Sequence, residues 1–367
     1  MIVVPIVLTS IILGVANLGK SQDLGRIAGK TFLFYGATTL IAIIIGLALV
    51  NILKPGVNSN LNIESTIADV ANTASQNHSL LDQIINIVPE NIFTEMSNGN
   101  LLSIIFFAII FGFFTTQVSD KNKESIISLL DAIYNVILKI TLFIIKFTPY
   151  GVFGIVANIV AKEAGDVGRL IDIVSSLGFY TLIVWLGCLI QGLIILPSAV
   201  YLLGKENPWR HIQKMSPAIL TAFSTCSSGA ALPLSMEYSR SKCGISSKIS
   251  SFTLPLGATI NMNGTALYEG VTVLFIAQVY GIELTIAHQL IIIGTVLFAA
   301  VGAASIPMAG LVMLSVVLTV AGLPLEGVGL VLAVQQLCDM PRTAVNSYGD
   351  MCGAVVIAKS EGEKLTI

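Results

Sequence analysis

Long apolar runs separated by short polar turns dominate the chain. A bilayer core takes about 20 apolar residues per helix. That rule predicts spans at roughly 1–18, 31–53, 85–118, 125–148, 172–203, 248–280 and 329–358. Two further apolar segments, about 210–238 and 288–322, are each interrupted near the middle by small residues and a proline. Strand-like alternation is absent, so a β-barrel is excluded and the fold is expected to be all-α.

Composition agrees with a membrane location. The chain has 367 residues, 54% hydrophobic and only 11% charged, whereas a soluble domain carries about 25% charge. Its mean hydropathy is +0.87. An integral membrane protein is the reading. A net charge of −2 gives no basic surface for nucleic acid. Cys188, Cys226, Cys243, Cys338 and Cys352 show neither a CxxC pair nor metal-ligand spacing, and read as small apolar residues. His78, His211 and His288 are too scattered for a histidine metal site.

Lysines and arginines set the orientation. They cluster between spans 1 and 2 (Lys20, Arg26, Lys30), between spans 3 and 4 (Lys121, Lys123), around the first interrupted segment (Lys205, Arg210, Lys214, Arg240, Lys242, Lys248) and in the tail (Lys359, Lys364). All become cytoplasmic if the first interrupted segment enters and leaves on one side and the second re-enters from outside. The Asn- and Ser-rich loop 55–83 then lies outside. Span 1 must run inward, yet Met1 opens directly into apolar sequence with no charged leader. Either the chain starts outside, or a helix that should precede it is missing; the second is preferred.

The interrupted segments read "SPAILTAFSTCSSGAALPLSM" (216–236) and "GTVLFAAVGAASIPMAGLVML" (294–314). Both carry Gly-Ala-Ala followed by proline: Gly229-Ala230-Ala231-Leu232-Pro233 and Gly302-Ala303-Ala304-Ser305-Ile306-Pro307. A helix broken there frees N–H groups at the start of its second half, which makes an anion site from main chain. Irregular backbone at membrane depth survives only around a cavity or inside protein. Paired interruptions point to a transporter binding site. The alternative is that the small residues only pack helices tightly.

Polar residues inside the spans add the chemistry. In "TLPLGATINMNGTALYEG", Asn261-Met262-Asn263-Gly264-Thr265 interrupts the seventh span. Unwound backbone turns carbonyls away from the helix ladder, where they can coordinate a hard cation such as Na⁺. The alternative is a kink whose side-chain amides bond neighbouring helices. In the last span, Asp339, Arg342, Thr343, Asn346 and Asp350 follow i, i+3, i+4, i+7, i+11 and share one helical face. A charge at the bilayer centre costs at least about 2.5 kcal/mol, so this stripe needs a partner or water. Arg342 can hold a substrate carboxylate bidentately, Asp339 can accept from an ammonium group, and Asp350 can ligate a cation. The alternative is a self-satisfied Asp339–Arg342 ion pair. Arg342 disfavours a neutral substrate, and Asp339 disfavours a plain C4-dicarboxylate.

These stretches resemble a known family. "SSGAALP", "SFTLPLGATINMNGTALYEG", "GAASIPMAGLVML" and "DMPRTAVNSYGD", with similarity running from "MIVVPIVLTS" through "PYGVFGI" to the tail, make the chain similar to the dicarboxylate/amino acid:cation symporters. The resemblance implies eight spanning helices plus two re-entrant hairpins, in a transport domain that slides like an elevator against a trimeric scaffold. Residue 1 falls at the start of the family's second helix. The implied divisions are scaffold helices 1–54 (partly transport domain), extracellular loop 55–84, helices 85–203, hairpin 1 at 204–246, broken helix 247–282, hairpin 2 at 283–324, last helix 325–358 and cytoplasmic tail 359–367.

The resemblance also implies roles. Arg342 holds the substrate side-chain carboxylate; Asp339 holds the ammonium, with the carbonyls of Cys226 and Ile306. Ser228 main chain, beside Ser227, and Asn346 hold the α-carboxylate, and Thr265, Thr343 and Gly310 complete the pocket. One sodium site uses carbonyls of Gly257, Asn261 and Asn346 with the Asp350 carboxylate. A second lies near Thr259 and Met262 and near Val301 and Ala303. A third uses Tyr35, Thr38 and Thr39 with Asn261 and Asn263. There the chain departs: the family's usual aspartate is Asn263, which predicts a weak or absent third site. Gln335 stands where an acidic residue is common, and Pro341 is expected to disturb the helix beside Arg342. Glu269 stands where proton-coupled members carry the proton.

The resulting expectation is a multi-pass symporter of glutamate or aspartate in the cytoplasmic membrane, coupled to Na⁺ and/or H⁺, with no catalytic constellation and no organic cofactor implied. A homotrimer in lipid is implied. Neutral amino acid or C4-dicarboxylate carriage, or a transport-impaired or channel-like relative, are the alternatives.

Overall fold

The computed structural model describes residues 3–16, 22–57, 88–98, 101–145, 167–302 and 309–367, with positions 147, 150, 153–154 and 157 between them. Among these residues every regular element is helical. In chain order they are α1 (Val3–Ala16), α2 (Gln22–Leu53), α3 (Ile92–Asn98), α4 (Leu101–Thr115), α5 (Asp120–Ile145), α6 (Val167–Ile190), a π-helical turn (Gln191–Ile195) and α7 (Leu196–Leu202). They continue with α8 (Pro208–Thr225), α9 (Ser228–Ser241), α10 (Ser247–Ile260), α11 (Asn263–Val279), α12 (Ile286–Gly302), α13 (Ala309–Val320), α14 (Gly327–Leu332) and α15 (Gln335–Ser360).

Two segments pass a strict length and hydropathy test for crossing a membrane, Arg26–Leu53 and Ile171–Leu202. Loop 58–87, including most of the predicted polar excursion, lies outside the described residues.

The first interruption sits upstream of the proline motif that suggested it. The first segment breaks at Cys226 and Ser227, upstream of Gly229-Ala230-Ala231-Leu232-Pro233, which is helical within α9. Cys226 takes a left-handed conformation (φ 51°), and Ser227 is extended with its Oγ accepting from Ala230 N at 3.3 Å. The hydroxyl cap, not the proline, starts the second half. In the second segment α12 ends at Gly302 and α13 begins at Ala309; residues 303–308 lie outside the description. The seventh span breaks over only Asn261 and Met262, so Asn263, Gly264 and Thr265 already belong to α11. Pro341 leaves α15 continuous from Gln335 to Ser360.

α11 is the central element. Residues 263–277 are buried on all sides, which fits a helix whose sequence shows no polar face. α2 packs along it, and α15, α6, α12 and α13 surround it. Gly264 lets α11 and α15 meet at backbone distance, because a Cβ there would stand 2.3 Å from the Arg342 carbonyl oxygen. α1 packs mainly on α4 and α5.

Residues 361–367 tie several helix ends together. Glu361 pairs with Arg26 and Lys30, each at 2.6 Å. Ser246 N donates to Glu363 at 3.0 Å and Thr366 N donates to the Cys243 carbonyl at 3.0 Å. The Arg26 and Lys30 donors hold the Glu361 carboxyl well below its ordinary 4.5, at about 2. A lowered folded-state pKa stabilises above the unfolded value and is lost as pH falls. The tether is therefore expected to be complete above about pH 4.5 and to loosen progressively toward about pH 2. Hydrogen exchange of residues 359–367 followed over that interval checks this; protection unchanged from pH 5 to pH 2.5, or equal protection in Glu361→Gln at pH 6, would contradict it.

Candidate functional site

The stripe predicted on the last span is formed by α15, and Asp339, Arg342, Thr343, Asn346 and Asp350 are all buried. It breaks into three groups of contacts, because successive turns face different neighbours.

The first group is ionic. Arg342 Nε and Nη2 donate to Asp339 Oδ1 at 3.1 and 2.6 Å, and Thr343 Oγ1 donates to the same oxygen at 2.9 Å. The i, i+3 pair has thus formed within one helix. It does not use the whole guanidinium: Nη1 is buried without a hydrogen-bond partner among the described residues. Gly310, the second residue of α13, lies over that nitrogen, and a Cβ there would stand 2.3 Å from Nη1. The Arg342 guanidinium carbon also stands 4.9 Å from the Tyr268 ring centroid, within cation–π range. Tyr268 in turn donates to Gln335 Oε1 at 2.5 Å.

Tyr268 escaped the sequence reading. It lies one turn beyond Gly264 in α11 and so shares its face toward α15. Only the packing of α11 on α15 made that spacing informative.

The second group joins α15 to the start of α11. Asn346 Oδ1 accepts from Gly264 N at 2.7 Å and Thr265 N at 3.3 Å, and Asn346 Nδ2 donates to Thr265 Oγ1 at 3.0 Å and Met262 Sδ at 3.4 Å. Met262, the residue before α11, supplies no side-chain cap. A buried helix start leaves amides that need acceptors, and Asn346 supplies one from another helix.

The third group surrounds Asp350. Asn261 Nδ2 donates to Asp350 Oδ1 at 2.8 Å and to the Asn346 carbonyl at 3.2 Å. A Cβ on Gly257 would stand 2.5 Å from Asp350 Oδ1 and 2.7 Å from the Tyr35 hydroxyl. Tyr35 donates to the Thr253 carbonyl at 3.1 Å. Asn261 Oδ1 is buried with no partner among the described residues. Nearby, Thr39 Oγ1 donates to Asn263 Oδ1 at 2.7 Å, while Asn263 Nδ2 is buried and unpartnered. Thr38 turns its hydroxyl back to Phe34 and Tyr35 carbonyls.

The remaining predicted residues are less closely tied. Cys226 reaches the start of α15 through Gln336 Nε2, 3.3 Å from its Sγ. Ser228 is buried at the start of α9. Thr259 bonds only its own helix, at the Leu256 carbonyl. Val301 lies in the last turn of α12, whereas Ala303 and Ile306 fall outside the described residues. Glu269 is fully buried in α11, and neither carboxyl oxygen has a hydrogen-bond partner among the described residues. The five cysteines are buried and unpaired.

A buried ionic stripe meeting an interrupted helix, in a chain this apolar, belongs to a membrane-embedded solute carrier. The chain is a member of the sodium:dicarboxylate symporter family, whose profile matches residues 1–360. Such proteins are transporters, not enzymes. The chain is 32% identical over 367 residues to the proton/sodium-glutamate symport protein of Bacillus caldotenax, covering 99% of this chain and 85% of that protein. It is 32% identical over 368 residues to the proton/glutamate-aspartate symporter of Escherichia coli (strain K12), covering 98% and 82%. Excitatory amino acid transporter 3 of Mus musculus is 31% identical over 414 residues, covering 100% and 77%.

Truncating the cap from α15 isolates its structural weight. Asn346→Ala leaves two buried amides without an acceptor, a loss of about 1–3 kcal/mol. The variant is expected to unfold at lower temperature in detergent than the parent, with Asn346→Asp in between because it keeps an acceptor. Equal melting of the Ala variant and the parent would dismiss the cap.

Proposed function

We propose that the protein is a secondary active symporter of acidic amino acids, glutamate or aspartate, driven by Na⁺ and/or H⁺. The observation that carries this reading is the half-used guanidinium of Arg342, held by Asp339 through two nitrogens and without a partner at Nη1 among the described residues, beneath the bare backbone of Gly310. A guanidinium donates five hydrogen bonds in a fork that matches a carboxylate. An acidic amino acid brings both halves of an exchange: its carboxylate takes Arg342, and its ammonium takes the Asp339 carboxylate that Arg342 releases. Neither ion is then left buried and unpaired, the condition that makes truncated pairs so costly. The names of the relatives point to the same cargo.

Coupling is proposed to run through Asp350 and Glu269. Asp350, with the Asn261 amide and the bare Gly257 backbone beside it, offers a carboxylate and nearby carbonyls for one Na⁺. Residues Thr259 and Met262 with Val301 and Ala303 are assigned a second site. The third is assigned as inactive, because Asn263 is neutral and its carbonyl oxygen already accepts from Thr39. Glu269 crosses the membrane as the neutral acid, since its carboxyl is buried with no hydrogen-bond partner among the described residues.

Movement is proposed to be of the elevator type, in a homotrimer within a cytoplasmic membrane, with multiple spans and two re-entrant hairpins (α8–α9 and α12–α13). Two packing groups support this: α1 with α4 and α5, and α2 with α10, α11 and α15.

Proteoliposome uptake of labelled L-glutamate and L-aspartate, with Na⁺ and pH gradients imposed separately, tests the assignment; uptake indifferent to both gradients refutes symport. Arg342→Ala is expected to reduce acidic uptake at least about 30-fold, the effect of removing one partner of a buried pair. Unchanged glutamate uptake in that variant would remove Arg342 from the site. Glu269→Gln is expected to abolish the response to a pH gradient while leaving any response to Na⁺; a retained pH response would place the proton elsewhere.

A further inference from the structure

A two-part groove lies among α6, the π-helical turn, α7, α8 and α15. Its deep part is an apolar slot of about 210 Å³ between α6, α8 and α15, walled by Trp185, Leu189, Phe223 and Val345. Trp185 closes one end, set edge-on to Phe223 at 6.1 Å and fixed by an indole N–H bond to the Leu337 carbonyl at 2.9 Å. Its shallow part is an open groove of about 910 Å³ lined by Pro197, Tyr201, Lys205 and Trp209. The two share Leu193.

The π-helical turn Gln191–Ile195 sits at this junction. The sequence gives no warning of it. A π-turn inserts an extra residue and re-aims the helix face. Trp185, Leu189, Leu193, Pro197, Tyr201 and Lys205 then line the groove at steps of four residues.

The groove changes chemistry along its length. The slot is apolar, and Leu189 and Leu193 beside it remain about half exposed. The mouth is aromatic and cationic: Tyr201 is 65% and Trp209 58% exposed, the amphipathic residues that settle at a membrane surface. Lys205 is held in a left-handed backbone turn (φ 51°) and makes no ion pair with a described residue. The one carboxylate in the mouth, Glu206, is taken by Lys359 at 2.7 Å. Asn207 caps α8 through its Trp209 and Arg210 amides, so the cationic group left for a ligand is the Lys205 ammonium, with the Arg210 side chain close by in sequence.

The separation matches one lipid leaflet. From Lys205 to Leu193 the chain advances on the order of 15 Å at helical rise, half of a hydrocarbon core about 30 Å thick. An acyl chain anchored at the mouth therefore reaches the slot. We propose that this groove is a binding site for one anionic phospholipid, its phosphate on Lys205 and one acyl chain beside Leu193 and Trp185. An apolar slot alone would take any lipid; the unpaired lysine at its mouth selects the anionic one.

Native mass spectrometry of the detergent-solubilised protein, titrated with phosphatidylglycerol and with phosphatidylcholine of identical chains, tests this. The parent is expected to retain phosphatidylglycerol preferentially. Lys205→Gln is expected to lose about fivefold of that preference, the effect of one lysine at a membrane surface. Leu189→Trp, which fills the slot, is expected to lower retention of both lipids, and excess inorganic phosphate is expected to leave the lipid adduct in place. Equal retention of the two lipids by the parent, an undiminished preference in Lys205→Gln, undiminished retention in Leu189→Trp, or displacement by phosphate alone would each overturn the proposal.

Discussion

One guanidinium in the middle of an apolar bundle constrains nearly everything around it. Arg342 cannot be buried alone, so Asp339 sits one turn before it and Thr343 directs its hydroxyl to the same carboxylate oxygen. Tyr268 offers its ring from α11, and Gly310 offers bare backbone from α13. Asp339 and the Tyr268 ring still leave Nη1 without a hydrogen-bond partner among the described residues. An arginine kept for stability alone would be fully satisfied, or replaced by an apolar residue at little cost. The undonated N–H groups of Nη1 are what support reading the cluster as a site.

The same contact fixes the architecture. α15 and α11 approach so closely at Gly264 that no side chain fits between them. That approach brings Asn346 to the buried amides at the start of α11, where no local side chain caps them. A break in the seventh span is thus held open by a side chain of the last one. Cation chemistry beside it depends on the same geometry, because Asn261 in the break contacts Asp350 only when α10 and α15 are in register.

Family membership and site chemistry meet in the departures from the common pattern. Asn263 and Gln335 are both neutral, and the carbonyl oxygen of each accepts from a hydroxyl, of Thr39 and Tyr268, while their amide nitrogens have no partner among the described residues. Each exchange replaces a charge that would need a counter-ion with a neutral hydrogen bond. The carboxylates that survive in the buried region, Asp339, Asp350 and Glu269, have three different surroundings: an arginine, an amide, and no polar partner among the described residues. The proposed reading gives these three environments three tasks: binding a cationic group, ligating a metal cation and carrying a proton.

Residue types and their spacing were enough to establish the helical membrane character and the polar stripe of the last helix. Apolar run length and the i, i+3, i+4 rule depend only on local geometry, which is why they could be read directly. Small residues next to prolines misplaced the first break, because helix ends are decided by capping: Ser227 and the left-handed Cys226 end one helix and start the next, while Pro233 stays helical. Likewise no local signal announced the π-turn at Gln191–Ile195, the partnership of Tyr268 with Arg342, or the role of Asn346 as a cap for a distant helix. Those features join residues far apart in the chain, and only the packing of whole helices against one another brings such groups within bonding distance.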